Sequence, residues 1–299
     1  MLPLSACPVC QNDILAPWFQ FDDDHGRWSL DRCPRCGHGC VNPQPDWSEL
    51  APYYTTEYAP YSRKSDTESR EYKRNIENAA RLGEYRHTPF NAGDRLLDFG
   101  CGAGDFISVM GQLGVDAYGV DPSLHAVEAA QHRGLQAYQG TSQDLRSIFP
   151  NMRFSTITAN HVIEHVHDPV DVIRHLGEAL TADGRIVIAV PNSRCWACRV
   201  LKKAWHSTDV PRHIQQFTIQ SMSIAAERAG LAVERLWTYS LPKAATGSCQ
   251  IFLRHFAMVP RRLTELLPGF AAFTGGPFAK ALDRWRAGEA VLVWLRHPG

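Results

Sequence analysis

The stretch Arg95–Phe106, which reads RLLDFGCGAGDF, decides the fold of this chain. A short apolar run ends at Asp98, three glycines follow within five residues, and a helical pattern begins directly afterwards. Strand, glycine turn and helix in this order form the layout of a nucleotide-binding crossover. Glycines let a ligand lie against bare backbone, and the start of the helix offers free N–H groups. We therefore predict a cofactor site at this turn.

A second acidic residue supports the same prediction. The apolar stretch Val115–Val120 ends at Asp121, and an acid at the tip of a second strand suits the two hydroxyls of a ribose. The glycine turn has no Lys for a triphosphate. Together these features resemble the first motif of class I S-adenosylmethionine-dependent methyltransferases more than the pyrophosphate turn of dehydrogenases. The alternative is a purely structural strand–helix turn. The resemblance implies that the cofactor is held by Asp98, Gly100, Gly102, Gly104 and Asp121.

Strand and helix patterns alternate along the rest of the chain. Repeated alternation predicts an α/β fold with a doubly wound, mostly parallel sheet, and ligands collect at the carboxyl ends of such strands. The resemblance implies the seven-stranded, Rossmann-like sheet of methyltransferases with an antiparallel seventh strand. Strands are predicted near 95–99, 116–120, 135–139, 154–159, 185–190, 231–240 and 290–296, and helices near 65–87, 104–113, 123–133, 142–148, 169–180 and 218–229.

Polar residues follow the third and fifth predicted strands. The resemblance implies that Asp144 meets the adenine amino group of the cofactor, although an ordinary helix-capping carboxylate explains it equally well. Asn192, at the tip of the fifth strand, is predicted to face the cleft and to contact the substrate.

The segment after the fourth strand reads NHVIEHVHDP and spans Asn160–Pro169. It resembles the Glu-His segment that follows the fourth strand in many small-molecule methyltransferases, including quinone and sugar enzymes. The resemblance implies that Asn160 belongs to the cofactor site and that His161 and Glu164 face the transferring methyl group.

The segment Asp209–Thr218 reads DVPRHIQQFT and resembles a motif of bacterial methyltransferases that carry a zinc module. Because the unperturbed pKa of His lies near 6.5, His213 suits the role of a base around neutral pH. Arg212 suits a phosphate or carboxylate of the substrate. The alternative is a buried histidine beside a hydrogen-bonded arginine.

Two Cys-x-x-Cys pairs near the N-terminus predict a metal site. Each pair makes a tight knuckle that directs two thiolates at one ion, and four thiolates complete a tetrahedral zinc shell. A closed shell indicates a structural zinc ribbon rather than a catalytic metal; two disulfides are the alternative. The proposed ligands are Cys7, Cys10, Cys33 and Cys36.

Three regions follow from these assignments. Residues 1–45 form the zinc-binding module, and 46–90 form a linker and helix that cover the cleft, in which Tyr54 and Tyr58 either contact the substrate or pack the linker onto the domain. Residues 91–299 form the methyltransferase domain, with an insertion at 241–288. This insertion is apolar and basic, and it is expected to cap the substrate site, form a dimer face or contact a membrane surface.

Composition narrows the location and the partners. Lys plus Arg and Asp plus Glu number 31 each, which argues against nucleic-acid binding through bulk positive charge. No apolar run approaches the roughly 18 residues of a membrane span, and we expect no signal peptide. Four of the nine cysteines fall into a metal pattern, which suits a reducing compartment, so a cytoplasmic location is expected.

The motifs specify the cofactor better than the acceptor. The expected function is S-adenosylmethionine-dependent methyl transfer to a small molecule, first of all a sugar or glycan-pathway intermediate, because zinc-bearing relatives include sugar C-methyltransferases. A quinone or aromatic O-methyltransferase is the alternative within this class. An RNA methyltransferase that grips RNA with its zinc knuckle and a non-catalytic cofactor-binding protein are alternatives from other classes.

Overall fold

The N-terminal region forms a small antiparallel sheet. A computed structural model describes residues 3–54, 70–240, 242–255 and 277–299 of the chain. A hairpin of β1 and β2 lies between the two cysteine pairs, and β3 follows the second pair. The bounds in this region are β1 Ala16–Asp23, β2 Gly26–Arg32, β3 Gly39–Val41, helix α1 Trp47–Leu50, helix α2 Arg70–Leu82, β4 Glu84–Tyr85 and β5 Thr88–Pro89.

Strands and helices then alternate as the sequence predicts. β10 begins earlier than expected, and the predicted helix near 142–148 is divided into a 3-10 turn at Ser142–Asp144 and a short helix. The bounds are β6 Arg95–Phe99, α3 Asp105–Gln112, β7 Asp116–Asp121, α4 Leu124–Gln131, β8 Gln136–Gln139, α5 Leu145–Ile148, β9 Phe154–Asn160, α6 Pro169–Glu178, β10 Leu180–Pro191, α7 Trp196–Leu201, β11 Gln215–Gln216, α8 Ile219–Arg228, β12 Ala232–Tyr239, α9 Pro242–His255, α10 Pro277–Arg284 and β13 Ala290–Arg296.

The central sheet has seven strands in the order β12-β13-β10-β9-β6-β7-β8. Neighbouring strands from β10 to β8 are parallel, and β13 runs antiparallel to both β10 and β12. The predicted doubly wound, mostly parallel fold with an antiparallel last strand is therefore confirmed. The order changes direction at β6, so the carboxyl ends of β6 and β9 lie side by side at the switch point where such folds bind ligands.

Burial of both sheet faces explains why the central strands read as continuous apolar runs. Leu96 and Leu97 in β6 are fully buried, as are the apolar residues Ile186–Ile188 in β10. Parallel strands that are covered by helices on both faces need such runs rather than alternating polarity. The helices begin at capping side chains: Ser123, Asp168 and Thr218 each accept a hydrogen bond from the first turn of α4, α6 and α8.

The small sheet is completed by a strand from the other end of the chain. β11 pairs with β3, so the full order is β1-β2-β3-β11. Residues of both cysteine knuckles lie in the same apolar cluster as Phe217 and Met222 of the methyltransferase region. The division into residues 1–45, 46–90 and 91–299 stays a proposal. Within it, the edge strand β3 of the first region pairs with β11 of the third.

Only parts of the expected insertion at 241–288 lie in the described residues. α9 contacts α7 and the 3-10 turns between α7 and β11, and α10 contacts β12. Among the described helices, none combines the length and the apolar composition that crossing a bilayer requires.

Candidate active site

The glycine turn after β6 adopts the conformation that requires glycine. Gly100, Gly102 and Gly104 have φ values of +80°, +53° and +83°, a region that other residues rarely adopt. A Cβ atom on Gly100 would lie 2.3 Å from Cγ2 of Val162, which belongs to the segment after β9. The candidate catalytic segment therefore packs directly on the candidate cofactor turn.

Asp98 is buried at the end of β6. Its Oδ1 accepts a hydrogen bond of 2.5 Å from the hydroxyl of Thr158 in β9. The pKa of Asp98 is raised to about 7, chiefly by burial and to a smaller extent by the nearby Asp121, whereas Thr158 and Arg86 act in the opposite direction. This buried carboxyl has bare glycine backbone beside it, where a ligand can approach. A positively charged group of such a ligand would stabilise the ionised form of Asp98.

Asp121 ends β7 and is held by backbone N–H groups. Its two oxygens accept hydrogen bonds of 2.9 Å from the backbone nitrogens of Gly102 and Ser123. Burial raises the pKa of this carboxyl, and the two N–H groups oppose that rise. Asp98, the three glycines and Asp121 thus meet at one edge of the sheet, where two carboxylates can accept hydrogen bonds from ribose hydroxyls and an amino group, and the glycine backbone leaves room for a cofactor such as S-adenosylmethionine.

Glu164 lies at the centre of the segment after β9. Its side chain is almost fully buried, and its Oε1 lies 3.1 Å from Nδ1 of His161, whose side chain is 42% exposed. Burial acts to lower the pKa of His161, but the hydrogen bond and charge of Glu164 outweigh it and the net pKa is raised. Burial likewise acts to raise the pKa of Glu164, but His161, His165 and His213 hold it below its usual range.

Two more imidazoles, those of His165 and His213, lie close to Glu164. The rings of His165 and His213 are 4.7 Å apart, and Nε2 of His213 lies 4.0 Å from Oε1 of Glu164. Nδ1 of His165 donates to the carbonyl oxygen of Arg212 at 2.9 Å, and Nδ1 of His213 donates to that of Ser207 at 2.8 Å. Burial and the charge of His213 lower the pKa of His165 to about 4. Both rings are thereby fixed with Nε2 as the remaining nitrogen.

These groups also have the spacing of metal ligands. Ligand atoms of Glu164, His165 and His213 all lie within 4.8 Å of one another. An imidazole whose second nitrogen donates to a carbonyl is typical of metal-binding histidines. The same arrangement also serves acid–base chemistry without a metal, because a buried carboxylate orients imidazoles and stabilises their positive charge.

Arg212 is engaged within its own motif. Its guanidinium binds both carboxylate oxygens of Asp209, with distances of 2.9 and 2.5 Å, and donates to the carbonyl oxygen of Tyr53 at 3.3 Å. Oδ2 of Asp209 in turn lies 3.8 Å from Nε2 of His213. These contacts favour a role in positioning His213 over the direct binding of a substrate anion.

The remaining predicted residues occupy different kinds of position. The hydroxyl of Tyr54 lies 3.0 Å from Nδ1 of His165, so Tyr54 reaches the site, whereas Tyr58 lies outside the described residues.

Asn192 is fully buried, donates to the carbonyl oxygen of Gly288 and accepts from the backbone nitrogen of Arg194, which ties β10 to the chain before β13. Asp144 accepts from the backbone nitrogen and hydroxyl of Thr141 as a cap.

Asn160 and three residues that the sequence analysis missed border the same cleft. The amide nitrogen of Asn160 is buried without a hydrogen-bond partner among the described residues, as expected of a group that faces a ligand. The positive charge of Arg86, at the tip of the β4–β5 hairpin, acts on Asp98, His161 and Tyr239. The ring of His87 lies 4.9 Å from that of Tyr239. The sequence offered no motif that could bring this hairpin to the site.

The four predicted zinc ligands converge. Their sulfurs lie within 4.8 Å of one another, with 3.7 Å between Cys7 and Cys36 and 3.5 Å between Cys10 and Cys33. A tetrahedral site with Zn–S bonds of about 2.3 Å has sulfurs about 3.8 Å apart. All four thiols are free, so the disulfide alternative is not realised, and the cluster suggests a structural zinc site.

Comparisons with known proteins identify methyltransferases among the proteins that this chain resembles. A family model described as "Methyltransferase domain" matches residues 67–236. A ubiquinone biosynthesis O-methyltransferase from Bradyrhizobium diazoefficiens is 24% identical over 58% of this chain and 74% of its own length. Another from Azorhizobium caulinodans is 32% identical over 33% of this chain, which spans 41% of that relative. A methyltransferase structure from Mesorhizobium loti has a TM-score of 0.47 at 19% identity, covering 75% of this chain and 98% of that one.

Proposed function

The chain belongs to the methyltransferase-domain family, and on that premise we propose that it transfers the methyl group of S-adenosylmethionine to a hydroxyl of a small molecule. The cofactor supplies a methyl group on a positive sulfur, which is a good leaving group. The protein then has to orient the acceptor in line and remove its proton. The observation that carries this proposal is the buried Glu164 beside three imidazoles, in a segment that packs on the glycine turn.

In this proposal the cofactor lies along the carboxyl ends of β6 and β7. Asp121 accepts hydrogen bonds from the ribose hydroxyls, and the backbone of Gly100, Gly102 and Gly104 lets the amino-acid part approach. Asp98 is the carboxyl nearest to that approach, and its raised pKa favours a positively charged neighbour. Asn160 offers its unpaired amide nitrogen from β9, and Asp144 is assigned to the adenine end.

His161 is the proposed general base. Its Nδ1 faces Glu164, so Nε2 is the ring nitrogen that would take the proton of an acceptor hydroxyl. Glu164 stabilises the imidazolium that forms, because a buried carboxylate acts strongly on a neighbouring positive charge. His213 is the second candidate for the base, and Arg212 with Asp209 positions it.

The relatives favour an aromatic acceptor over a sugar. Those compared above are named for ubiquinone biosynthesis O-methylation, which matches the alternative acceptor rather than the sugar that we expected first. We therefore propose a catechol-like aromatic hydroxyl as the first acceptor class. A sugar acceptor remains the second, because the zinc knuckles and the segment Asp209–Thr218 resemble those of methyltransferases with a zinc module, which include sugar C-methyltransferases. The spacing of the cysteines supports structural zinc and a reducing, cytoplasmic location.

The experiment starts with calorimetric titration of the full chain with S-adenosylmethionine and S-adenosylhomocysteine. Methyl-labelled cofactor is then incubated with 3,4-dihydroxybenzoate as a catechol probe and, in parallel, with sugar nucleotides. We expect micromolar cofactor binding and labelled catechol. A protein that binds neither cofactor form would contradict the proposed activity. Label found only in a sugar would show that the acceptor is a sugar and not a catechol.

The base is tested with His161→Asn, because asparagine tolerates the left-handed backbone of this position, where φ is +57°. His132→Gln is the matched control, since His132 is an exposed histidine at the end of α4. Loss of a general base lowers kcat by about 10²-fold to 10⁴-fold. We expect that loss in the His161 variant with an unchanged Kd for S-adenosylmethionine; a kcat equal to that of the control would remove His161 from this role.

A further inference from the structure

Gln215 joins the N-terminal sheet to the segment that carries Glu164. It lies in β11, which pairs with β3, and its side chain is buried. Its amide nitrogen donates to the carbonyl oxygens of Val166 and His167 at 3.0 and 3.1 Å. Its amide oxygen therefore faces the other way, where it accepts from Nε2 of His38 at 2.8 Å. Both amide N–H groups and the amide oxygen are thus used in one buried bridge.

The carbonyl groups that Gln215 holds lie close behind Glu164 in the chain. Two further contacts hold the same segment to residues outside the central sheet. Nε2 of His167 donates to the carbonyl oxygen of Pro45 at 2.7 Å, and Nδ1 of His165 donates to that of Arg212. The orientation of the Glu164 cluster is therefore set in part by the N-terminal region and by the neighbourhood of β11.

The other end of the bridge is fixed by a cysteine knuckle. The backbone nitrogen of Cys33 donates to the carbonyl oxygen of His38 at 2.8 Å, which places His38 directly behind the turn of Cys33 and Cys36. The hydroxyl of Thr218, just after β11, donates to the carbonyl oxygen of Cys36 at 3.2 Å. A metal ion that fixes this knuckle would also fix the position of His38, because the turn leaves His38 little freedom of its own.

We propose that Gln215 is a positioning residue that transmits the geometry of the zinc knuckle to the segment His161–Asp168, so that the N-terminal ribbon is part of the active site. The consequence for catalysis rests on the proposed function. The cofactor site should be spared, because the bridge holds Val166 and His167, whereas Val162, at the other end of the segment, is the residue that packs on the glycine turn between β6 and α3. Loss of the bridge should therefore slow methyl transfer and leave cofactor affinity unchanged.

Hydrogen–deuterium exchange of the full chain tests the bridge without any acceptor. Gln215→Leu removes both donors at similar volume, and Gln215→Glu keeps an oxygen facing His38 but has no amide N–H groups. We expect the amides of residues 161–168 to exchange about tenfold faster in both variants, relative to those of β7, because two buried carbonyl groups lose their donors. Zinc content should remain at that of the parent protein, and the Kd for S-adenosylmethionine should stay within about twofold.

Gln220→Ala is the matched control, since Gln220 also reaches the ribbon, where it donates to the carbonyl oxygen of Arg35 at 3.3 Å, but does not reach residues 161–168. This variant should exchange like the parent protein. Chelation of zinc from the parent should accelerate exchange at 161–168 relative to β7, and it should add no further acceleration there in Gln215→Leu. Unchanged exchange at 161–168, either in the Gln215 variants or after chelation, would overturn the proposal.

The catalytic readout separates this inference from the proposed function. With 3,4-dihydroxybenzoate as the acceptor, Gln215→Leu should lower kcat about tenfold at an unchanged KM for the cofactor, since misplaced groups affect the reacting geometry rather than cofactor binding. A parent protein that methylates no catechol defeats the proposed acceptor class, and the exchange results still decide the role of Gln215. A rise in cofactor KM with unchanged kcat would contradict a positioning role.

Discussion

Glu164 shows how the site tolerates a buried charge. An isolated carboxylate is costly to bury, and this one is stabilised by the hydrogen bond from His161 and by the charges of the surrounding histidines. Its second oxygen, Oε2, has no hydrogen-bond partner among the described residues. A buried acceptor without a donor is exceptional in a folded protein, and this one supports the proposal that an acceptor molecule binds at this edge of the sheet.

Replacing Glu164 by Gln should change both the rate and its pH dependence. The charge of Glu164 raises the pKa of His161, so the parent rate should rise with pH through an apparent pKa above the ordinary histidine value. In Glu164→Gln burial is no longer opposed, so this rising limb should move to lower pH while kcat falls by about 10²-fold. Initial rates from about pH 5.5 to about pH 9 measure both effects. A rising limb at the parental position would show that His161 is not the titrating base.

Asp98 illustrates the opposite case, a carboxyl that weakens the ligand-free protein. Its folded-state pKa of about 7 lies above the ordinary aspartate value of 3.8, so the folded protein binds more protons than the unfolded chain between these values and loses stability as pH rises through that window. Asp98→Asn should therefore raise Tm, on the order of 5 °C at pH 8 and less at pH 5, while cofactor binding is lost. Calorimetric unfolding at both pH values measures the change in Tm, and a cofactor titration measures the loss of binding. A lower Tm at pH 8 would contradict it.

Among the elements, the glycine turn and the segment after β9 depend on each other. Gly100 leaves room for Val162, so the turn that approaches the cofactor also sets the distance to the candidate catalytic residues. This explains in physical terms why a glycine is needed here: the left-handed backbone and the close neighbour both exclude a side chain.

Gly100→Ala should reduce cofactor affinity in addition to the stability that backbone strain removes. Gly93 supplies the comparison, because it has a similar φ of +85° and no atom within 4 Å of an added Cβ. We expect Gly93→Ala to lose about 1 kcal/mol of stability with normal cofactor binding. Gly100→Ala should lose cofactor affinity as well, and adding Val162→Ala should restore part of it. Calorimetric Kd values of the four proteins test this, and the absence of any rescue would show that Val162 is not the obstacle.

At the scale of the whole molecule, the ribbon and the methyltransferase region share a core. Cys7, Val9, Cys33 and Cys36 are fully buried in one cluster with residues of α6, α8 and the central sheet. Arg228 of α8 also donates to the carbonyl oxygens of Pro8 and Val9. Such continuity predicts that the two regions unfold together, unlike domains that are joined by a polar linker.

Removal of the proposed structural zinc should therefore destabilise the entire chain. Structural zinc contributes folding free energy directly, so a chelator should lower the Tm of the main unfolding transition by more than about 5 °C and leave it a single transition. In Cys10→Ser the chelator should have little further effect. Thermal unfolding followed by calorimetry and by ellipticity checks this. A main transition that chelation does not move would show that the ribbon folds independently of the domain.

The sequence by itself determined the elements and the local chemistry. The run of apolar residues into Asp98, the glycines and the alternating patterns predicted the strands of the central sheet and the helices beside it to within a few residues. These predictions succeed because hydrophobic periodicity and turn chemistry are local properties of the sequence. The spacing of the cysteines likewise predicted a convergence that needs little beyond two tight turns.

Only the tertiary structure decided which side chains share a site. It bound Arg212 to Asp209, used Asn192 to tie β10 to the chain before β13, and brought Arg86 toward Asp98, none of which spacing along the chain reveals. It also paired β11 with β3. The sequence could not predict this pairing, because a strand of two residues carries no periodic signal of its own. The contacts of Glu164 with His213 depend on segments that meet only once the sheet and the ribbon have folded around them, which is why they could not be read from the sequence.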